Sequence, residues 1–320
     1  MKGVKRALLL GVVCCLAVML GCGGKGAGSA AKAAGGTASD AKAQGAGDIE
    51  FSSKLTLGVW SLDDHGRPQI VGATPAGNPV RIPAGSTWGV TPVGGTTVEA
   101  LAAEVRTHSI PGLKFVDASQ LHNRPGVTDE DLACLKDLQG LQTLELELSE
   151  ITGSGMVYLK DLKKLRGLNL SFTRITDAGL AQIKDLKELQ ALNLRKTKIS
   201  DAGLVYLKEM KGLRLLNLID TRVTDAGLAD IKGLKELRDL GLGNAPITDA
   251  GLDELMGLKE LQTLSIYGTK ITDVGIAKLK GLKNLHRLYL GNTDVTKAAV
   301  EDLQKSLPAV IYSSAALAQR

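Results

Sequence analysis

The sequence repeats itself every 24 residues over more than half of its length. The segment VTDEDLACLKDLQGLQTLELELSE, which begins at Val127, is followed by ITGSGMVYLKDLKKLRGLNLSFTR and then by ITDAGLAQIKDLKELQALNLRKTK. Seven copies run to Asp294 without insertion or deletion, and an altered eighth copy begins at Val295. A fixed period of this length is typical of a solenoid, in which each unit buries its apolar side against its neighbours.

Each copy combines two hydrophobic periods. In the copy that begins at Ile175, apolar residues recur every three positions from Leu180 to Leu186, as on the face of a short helix. The residues Leu189, Leu192 and Leu194 then follow an L-x-x-L-x-L pattern, whose last part alternates as a strand does. The sequence therefore predicts an α/β horseshoe, with parallel strands on its concave side and short helices on its convex side.

These patterns resemble the leucine-rich repeat family, in particular the subclass that carries T-D-x-G-L after L-x-x-L-x-L-x-x-[CNT]. The resemblance covers residues 113–312. Within the family, the sequence is most similar to repeat-bearing lipoproteins of the bacterial envelope. This resemblance implies a leucine-rich-repeat solenoid. In most copies a Thr, such as Thr173 or Thr221, occupies the position of the family's Asn or Cys. We expect its side chain to satisfy backbone groups of the turn, and Ala245 to leave one copy without that bond.

The T-D-x-G-L motif raises the question of a row of acidic sites. Each Asp follows a Thr or Ser where a helix should begin, and a carboxylate is favourable at the positive end of a helix. A cation would need more oxygen ligands than one Asp per copy supplies. The Gly of the motif is replaced by Asp131 and Ala299 in the first and last copies. We therefore expect scaffold roles, with the Gly column allowing close packing between turns, and predict no metal site.

The N-terminus has the features of an export signal. Residues 1–21 combine a basic start with a short apolar run, and Met19-Leu20-Gly21-Cys22 resembles a lipobox, in which Cys22 becomes the lipid-bearing residue. Ordinary cleavage near Gly21, with Cys22 unmodified, is the alternative. Residues 22–47 are rich in Gly and Ala and predict a flexible tether. The expected location is the bacterial cell envelope, with a membrane anchor made of lipid.

Residues 48–111 predict a β-rich segment with one helix. KLTLGVW and PQIVGA have the composition of short strands, and Thr96 with Glu99 has the spacing of a capping box at the start of a helix over about 97–107. Residues 112–126 resemble the strand part of a repeat and predict an N-terminal capping strand. The predicted repeats occupy 127–294, and 295–320 predict a C-terminal capping repeat with a closing strand in SLPAVIYSS.

Composition and motifs give no case for catalysis. The formal charge of +5 falls to +2 once Lys2, Lys5 and Arg6 leave with the signal segment, which gives no case for binding nucleic acid. The four His are scattered, and neither a phosphate-binding glycine loop nor a G-x-S-x-G motif occurs. We predict no catalytic residues, no cofactor and no enzymatic activity.

The residues that do not repeat lie on the predicted concave face. Alternation places Leu215 and Ile219 there, both apolar, and gathers Tyr267, Arg287 and Tyr289 towards one end, residue types favoured at protein contacts. Incidental surface residues are the alternative, and Asn169, Asn193 and Asn217 could form an amide ladder. The predicted ligand-binding residues are Leu215, Ile219, Asp220, Tyr267, Arg287 and Tyr289.

The sequence thus predicts a monomeric, non-enzymatic scaffold that binds a protein or peptide on its concave face. Two further hypotheses remain. Rows of convex Lys, such as Lys160 and Lys163, could contact an anionic polymer in a structural envelope protein, although interleaved Asp and Glu offset this charge. The chain could also be an enzyme with its chemistry in residues 48–111 and the repeats as a substrate-binding arm.

Overall fold

The computed structural model describes residues 47–49, 57–62, 68–73, 80–82, 88–92, 97–115 and 126–313. The predicted signal segment, Cys22 and nearly all of the predicted tether lie outside these residues. The described strands form one sheet of 12 strands and one of two strands.

Nine parallel strands make up the repeat part of the large sheet, in sequence order. They are β6 (Gly112–Lys114), β7 (Thr143–Glu145), β8 (Gly167–Asn169), β9 (Ala191–Asn193), β10 (Leu215–Asn217), β11 (Asp239–Gly241), β12 (Thr263–Ser265), β13 (Arg287–Tyr289) and β14 (Ile311–Ser313). Equivalent positions of successive copies are paired, as Leu192 with Leu216 and Leu216 with Leu240. The central Leu of each strand from β6 to β13 is buried, so the leucines stack into one continuous core. The predicted α/β leucine-rich-repeat solenoid is confirmed.

The β-rich segment in front of the repeats is also confirmed. Strands β2 (Leu57–Leu62), β3 (Pro68–Ala73) and β5 (Trp88–Pro92) are antiparallel, and β5 pairs with β6 in parallel. Strands β1 (Gly47–Ile49) and β4 (Val80–Ile82) form the separate pair.

The helix that follows, α1 (Val98–His108), begins one residue later than expected. Its N-cap is Thr97, whose Oγ1 accepts a hydrogen bond of 3.2 Å from the backbone N–H of Ala100. The predicted cap at Thr96 is therefore wrong. Glu99 lies one position too early in the helix for a capping box.

The convex side consists of short helical segments. The α-helices are α2 (Asp129–Leu132), α3 (Asp177–Ile183), α4 (Asp201–Leu204), α5 (Asp225–Ile231), α6 (Gly251–Leu255), α7 (Asp273–Lys278) and α8 (Lys297–Ser306), and 3₁₀ turns cover Ala133–Leu135, Gly155–Tyr158 and Leu279–Gly281. In the part of the chain that the structure describes, no helix has the length and apolar character needed to cross a bilayer.

The Asp of each motif binds the next copy rather than only its own helix. Asp177 Oδ1 accepts the backbone N–H of Ser200 at 2.8 Å, and its Oδ2 accepts the Ser200 hydroxyl at 2.6 Å. The same two bonds join Asp201 to Thr224. They recur at Asp129, Asp225, Asp249 and Asp273. The Asp lies at the start of the helix, as expected, and it also links its own copy to the next one.

The Gly of the motif packs against this carboxylate. A Cβ on Gly203 would lie 2.5 Å from Asp177 Oδ1, so a side chain would collide with the link between the copies. The expected close packing between turns is confirmed. Asp131 replaces this Gly in the first copy, where no preceding repeat carries an Asp. The same reason does not explain Ala299 in the last copy, because the copy before it does carry one. There α8 begins differently, because the Thr296 hydroxyl accepts from Ala299 N and not from the residue before it.

Positive φ falls on a different column, directly after each strand. It runs through Leu148, Phe172, Lys196, Asp220, Asn244, Gly268 and Asn292, with φ between 53° and 67°. Only one of these residues is a Gly, so the left-handed backbone is set by the repeat and not by the residue type.

The expected role of the Thr column is confirmed. Thr221 Oγ1, for example, donates a hydrogen bond of 2.6 Å to the Leu218 carbonyl. In the copy that carries Ala245, the backbone N–H of Ala245 bonds to the Leu242 carbonyl at 3.1 Å. That carbonyl is therefore satisfied in spite of the missing hydroxyl.

Candidate binding surface

The concave face is the side of β6–β14 opposite the buried leucines. Strand alternation places three columns of side chains on it, at the first and third positions of each strand and two residues further on. Residues at equal positions face each other across neighbouring strands, as Leu215 and Asp239 do. The predicted site residues Leu215, Ile219, Tyr267, Arg287 and Tyr289 belong to these columns, and Asp220 follows in the positive-φ row.

Leu215 is not an exposed apolar residue. It lies in register between Ala191 and Asp239, and it is only 4% exposed. Because parallel strands lie about 4.8 Å apart, side chains of one column cover much of each other's surface. The expectation that Leu215 offers an apolar contact surface is therefore wrong.

The side chains of Ile219 and Tyr267 lie against two glycines of the copy between them. Gly241 and Gly243 leave the second and third concave columns without a side chain in this copy, so that Asp239 provides the only side chain of this copy in these three columns. A Cβ on Gly241 would lie 3.1 Å from Ile219 Cδ1, and one on Gly243 would lie 2.5 Å from Tyr267 Cε1. The glycines thus provide the floor on which both side chains lie. Burial raises the pKa of the Tyr267 phenol above its ordinary value.

A polar network borders this floor. Arg195 Nε is 3.3 Å from Asp220 Oδ2, and Asn244 Nδ2 donates a hydrogen bond of 2.7 Å to Asp220 Oδ1. The charges of Arg195 and Asp220 also act on the Tyr267 phenol. The five side chains that meet here, from successive copies, are Arg195, Ile219, Asp220, Asn244 and Tyr267, and we name them the Tyr267 cluster.

Phe172 extends this side of the concave face by one copy. The Arg195 guanidinium lies 5.4 Å from the centroid of its ring, and the Lys196 ammonium lies 5.2 Å from it. Both distances are in the range of cation–π contacts. Arg195 is therefore held by an aromatic ring and a carboxylate together.

A second group lies at the C-terminal end. Arg287 and Tyr289 are the exposed side chains of β13, with Tyr289 37% exposed, and we name them the β13 patch. Arg287 is in register with Thr263, which is in register with Asp239. Burial raises the pKa of Asp239 to about 6, against the opposing effects of a hydrogen bond with Thr263 and the charges of Arg287 and Arg238.

Asn169, Asn193 and Asn217, the residues of the possible amide ladder, each accept a hydrogen bond from the backbone of their own copy. Asn169 and Asn193 use their Oδ1 atoms to accept the backbone N–H two residues further on, at 3.0 and 3.1 Å. Asn217 does the same with Ile219 N at 3.0 Å. The side chain of Asn169 also donates to Glu145 Oε2 at 2.7 Å. These asparagines therefore shape the exits of the strands.

A family model described as leucine-rich repeat matches residues 162–183 and 188–208. Internalin C2 of Listeria monocytogenes has a similar solved structure, with 27% identity and a TM-score of 0.50, over 66% of this chain and 84% of that one. The chain has the fold of a leucine-rich-repeat solenoid.

A second internalin of Listeria monocytogenes, InlF, resembles this chain in fold. It is 19% identical with a TM-score of 0.51, over 72% of this chain and 74% of that chain. Among curated proteins, none matches the sequence significantly. Leucine-rich repeats characteristically present an extended concave surface for binding, and scaffolds of this kind are typically non-enzymatic.

The Lys residues of the convex face have structural partners. Lys163, Lys187 and Lys235 each donate from Nζ to the carbonyl of the residue three positions earlier, at 2.7 to 2.9 Å. Lys211 does the same with Lys208. Lys280 is 2.5 Å from Asp302. The ammonium groups of these four lysines are therefore held at the ends of helical turns, where they keep their charge, and Lys280 is paired with a carboxylate.

Within the described ranges, no group of three or more His, Cys, Asp or Glu has the arrangement to hold a metal ion. The structure brings together Ile219, Asp220 and Tyr267 in one cluster and Arg287 with Tyr289 in another. Sequence reasoning missed Arg195, Asn244 and Asp239. The signal that could have found the first two is the pair Gly241 and Gly243, which lets the side chains of neighbouring copies converge.

Proposed function

We propose that this protein is a non-enzymatic scaffold that recognises a protein or peptide on its concave face. The observation that carries the proposal is the Tyr267 cluster. An aromatic ring, an aliphatic side chain and a hydrogen-bonded Arg–Asp–Asn network converge there over a floor of glycines. Tyr and Arg are the residue types that dominate the energetics of protein interfaces.

The dimensions of the face support a polypeptide partner. Nine parallel strands at a spacing of about 4.8 Å span about 38 Å, comparable to the side of a standard protein interface. The side chains of the Tyr267 cluster are held by contacts between copies. Binding therefore orders few additional rotamers, which lowers the entropic cost of association.

The proposal includes export and a lipid anchor at Cys22, with residues 22–47 as the tether. It is supported by the lipobox-like Met19-Leu20-Gly21-Cys22 after a short apolar run. Expression with a labelled fatty acid tests it. We expect label in the wild-type chain and none in Cys22→Ser, and label that persists in the variant would contradict an anchor at this residue. The division of the chain into six segments, the monomeric state and the absence of nucleic-acid binding stay predictions.

The concave site is tested by crosslinking and capture from bacterial envelope extracts. Ile219→Asp and Tyr267→Asp place a charge in the Tyr267 cluster and should abolish capture of the proteins that the wild type retains. Val205→Asp is the matched control, because Val205 is 40% exposed and lies on a convex turn. Far-UV circular dichroism should be the same for all three variants. Equal capture by wild type and both concave variants would exclude this surface as the binding site.

A further inference from the structure

The exposed charge of the C-terminal concave face is positive. Arg287 is exposed, whereas Asp239, two strands away in the same column, is only 9% exposed. A ligand on the β13 patch therefore meets a guanidinium and an aromatic ring, while the carboxyl of Asp239 is buried two strands away. Guanidinium groups pair in a bidentate manner with carboxylates and similar anions, and tyrosines add apolar contact area.

The surroundings of Asp239 contain more cations than anions. Arg238 precedes it, and the buried Nε of Arg238 has no hydrogen-bond partner among the described residues. Arg214 occupies the equivalent position one copy earlier, but it is paired with Glu236 at 3.4 Å. Leu215 lies on the β10 side, Thr263 lies on the β12 side, and His286 precedes Arg287 on β13. Asp239 is thus the carboxyl that offsets Arg238 and Arg287.

Protonation of Asp239 removes this offset within a mild pH range. Burial raises its pKa to about 6, so the side chain is ionised in neutral solution and mainly neutral one unit below that value. When it is neutral, Arg238 and Arg287 lose the opposing charge of Asp239, with which both interact. The attraction of this surface for an anion then increases, because charges near a protein surface interact over such distances with limited screening.

We propose that the β13 patch binds an anionic segment of a polypeptide partner, and that Asp239 makes this binding stronger in mildly acidic than in neutral surroundings. The inference rests on the proposed function, since it assigns the chemical class of partner and the regulation of the same concave face. Arg287 pairs with the anionic group of the partner, and Tyr289 packs against a neighbouring side chain of the partner. The charge of Asp239 acts on Arg287.

The test uses the full-length chain and a synthetic peptide of alternating cysteic acid and tyrosine. Its N-terminus is acetylated and its sulfonates stay ionised throughout the range, so any pH dependence belongs to the protein. We expect about fivefold tighter binding at about pH 5 than at about pH 7.5. Asp239→Asn, which keeps the shape of the side chain, should bind tightly at both values. Arg287→Gln should lose about tenfold in affinity at both.

Two controls separate the roles of charge and of Asp239 from those of neighbouring groups. A matched peptide of lysine and tyrosine should bind at least about tenfold more weakly, as expected for a surface of positive charge. His286→Gln tests the neighbouring titratable side chain and should retain the pH dependence. Loss of the pH dependence in His286→Gln with its retention in Asp239→Asn would overturn the role of Asp239. Failure of the sulfonate peptide to bind the wild type would overturn the inference, while the proposed function would still stand if envelope capture depends on Tyr267.

Discussion

Gly203 lies against the Asp177 carboxylate of the preceding copy, at a distance that leaves no room for a Cβ. The same carboxylate accepts two hydrogen bonds from Ser200. The Asp and the Gly of one motif therefore act in different junctions: the Asp binds the copy that follows, and the Gly admits the Asp of the copy before. This relationship explains why both residues recur together with a period of 24 residues.

Replacing Gly203 by Ala should break the junction between the third and fourth copies. The new Cβ displaces the Asp177 carboxylate and costs its bonds to Ser200, so we expect a loss of about 2–3 kcal/mol in the free energy of unfolding. Chemical denaturation measures this. Gly140→Ala is the control, because a Cβ on Gly140 has nothing within 4 Å and should be tolerated. Equal losses in the two variants would show that the carboxylate contact is unimportant.

Adding a carboxylate at Gly153 should stabilise the protein. Gly153 is the motif position without an Asp, but its backbone lies in the same place as that of Asp129. A Cβ on Gly179 would be 3.0 Å from Gly153 Cα, and a Cβ on Gly155 would be 3.0 Å from Asp129 Cα. A Cβ on Gly153 would lie 3.2 Å from both Gly179 N and Thr176 Oγ1, so the neighbouring turn must shift by a few tenths of an ångström, and the new carboxylate can then accept from Thr176 as Asp129 does from Thr152. We expect Gly153→Asp to gain about 1–2 kcal/mol in the free energy of unfolding. Gly153→Ala, which adds only the Cβ, should gain less, and an equal gain would contradict a role for the hydrogen bonds.

Asp239→Asn should stabilise the protein in a pH-dependent way. The folded protein holds the Asp239 proton more tightly than the unfolded chain, because the folded pKa is about 6 and the ordinary value is 3.8. Wild-type stability therefore falls as the pH rises through this interval, whereas the neutral variant avoids the penalty. We expect a gain of about 2–3 kcal/mol at about pH 7.5 that shrinks towards zero near pH 4. Denaturation at several pH values measures it. Asp137→Asn, at an exposed carboxyl, is the control and should show no comparable gain.

Gly243→Ala should release the Tyr267 ring. A Cβ on Gly243 would overlap the ring, which must then move towards solvent. Because burial raises the pKa of the Tyr267 phenol, the variant should titrate closer to the ordinary value of 10.0. Ultraviolet absorbance follows this titration, and Tyr267→Phe identifies the contribution of this phenol. An unchanged Tyr267 transition in Gly243→Ala would mean that the ring does not depend on the glycine floor.

The sequence was sufficient to predict the repeat fold, because one 24-residue period constrains every copy at once. It also placed Ile219, Tyr267 and Tyr289 correctly in the concave columns, since alternation within a strand is fixed by geometry. It could not predict the burial of Leu215 or Asp239, which depends on how neighbouring columns cover each other. Nor could it predict that Asp177 bonds to Ser200. An Asp at this position is equally expected if it favours the helix start or if it links two copies, so the sequence pattern does not distinguish the two roles.

The junction at Gly153 has a consequence for how the molecule opens. In a solenoid each copy touches only its neighbours, so a weak contact is not compensated from elsewhere in the chain. Between the second and third copies, no carboxylate of this row joins Gly153 to Thr176. This boundary is therefore a natural line of separation, where opening costs less than at the other junctions of the row. Amides on its two sides then belong to different cooperative units and exchange with solvent at different rates.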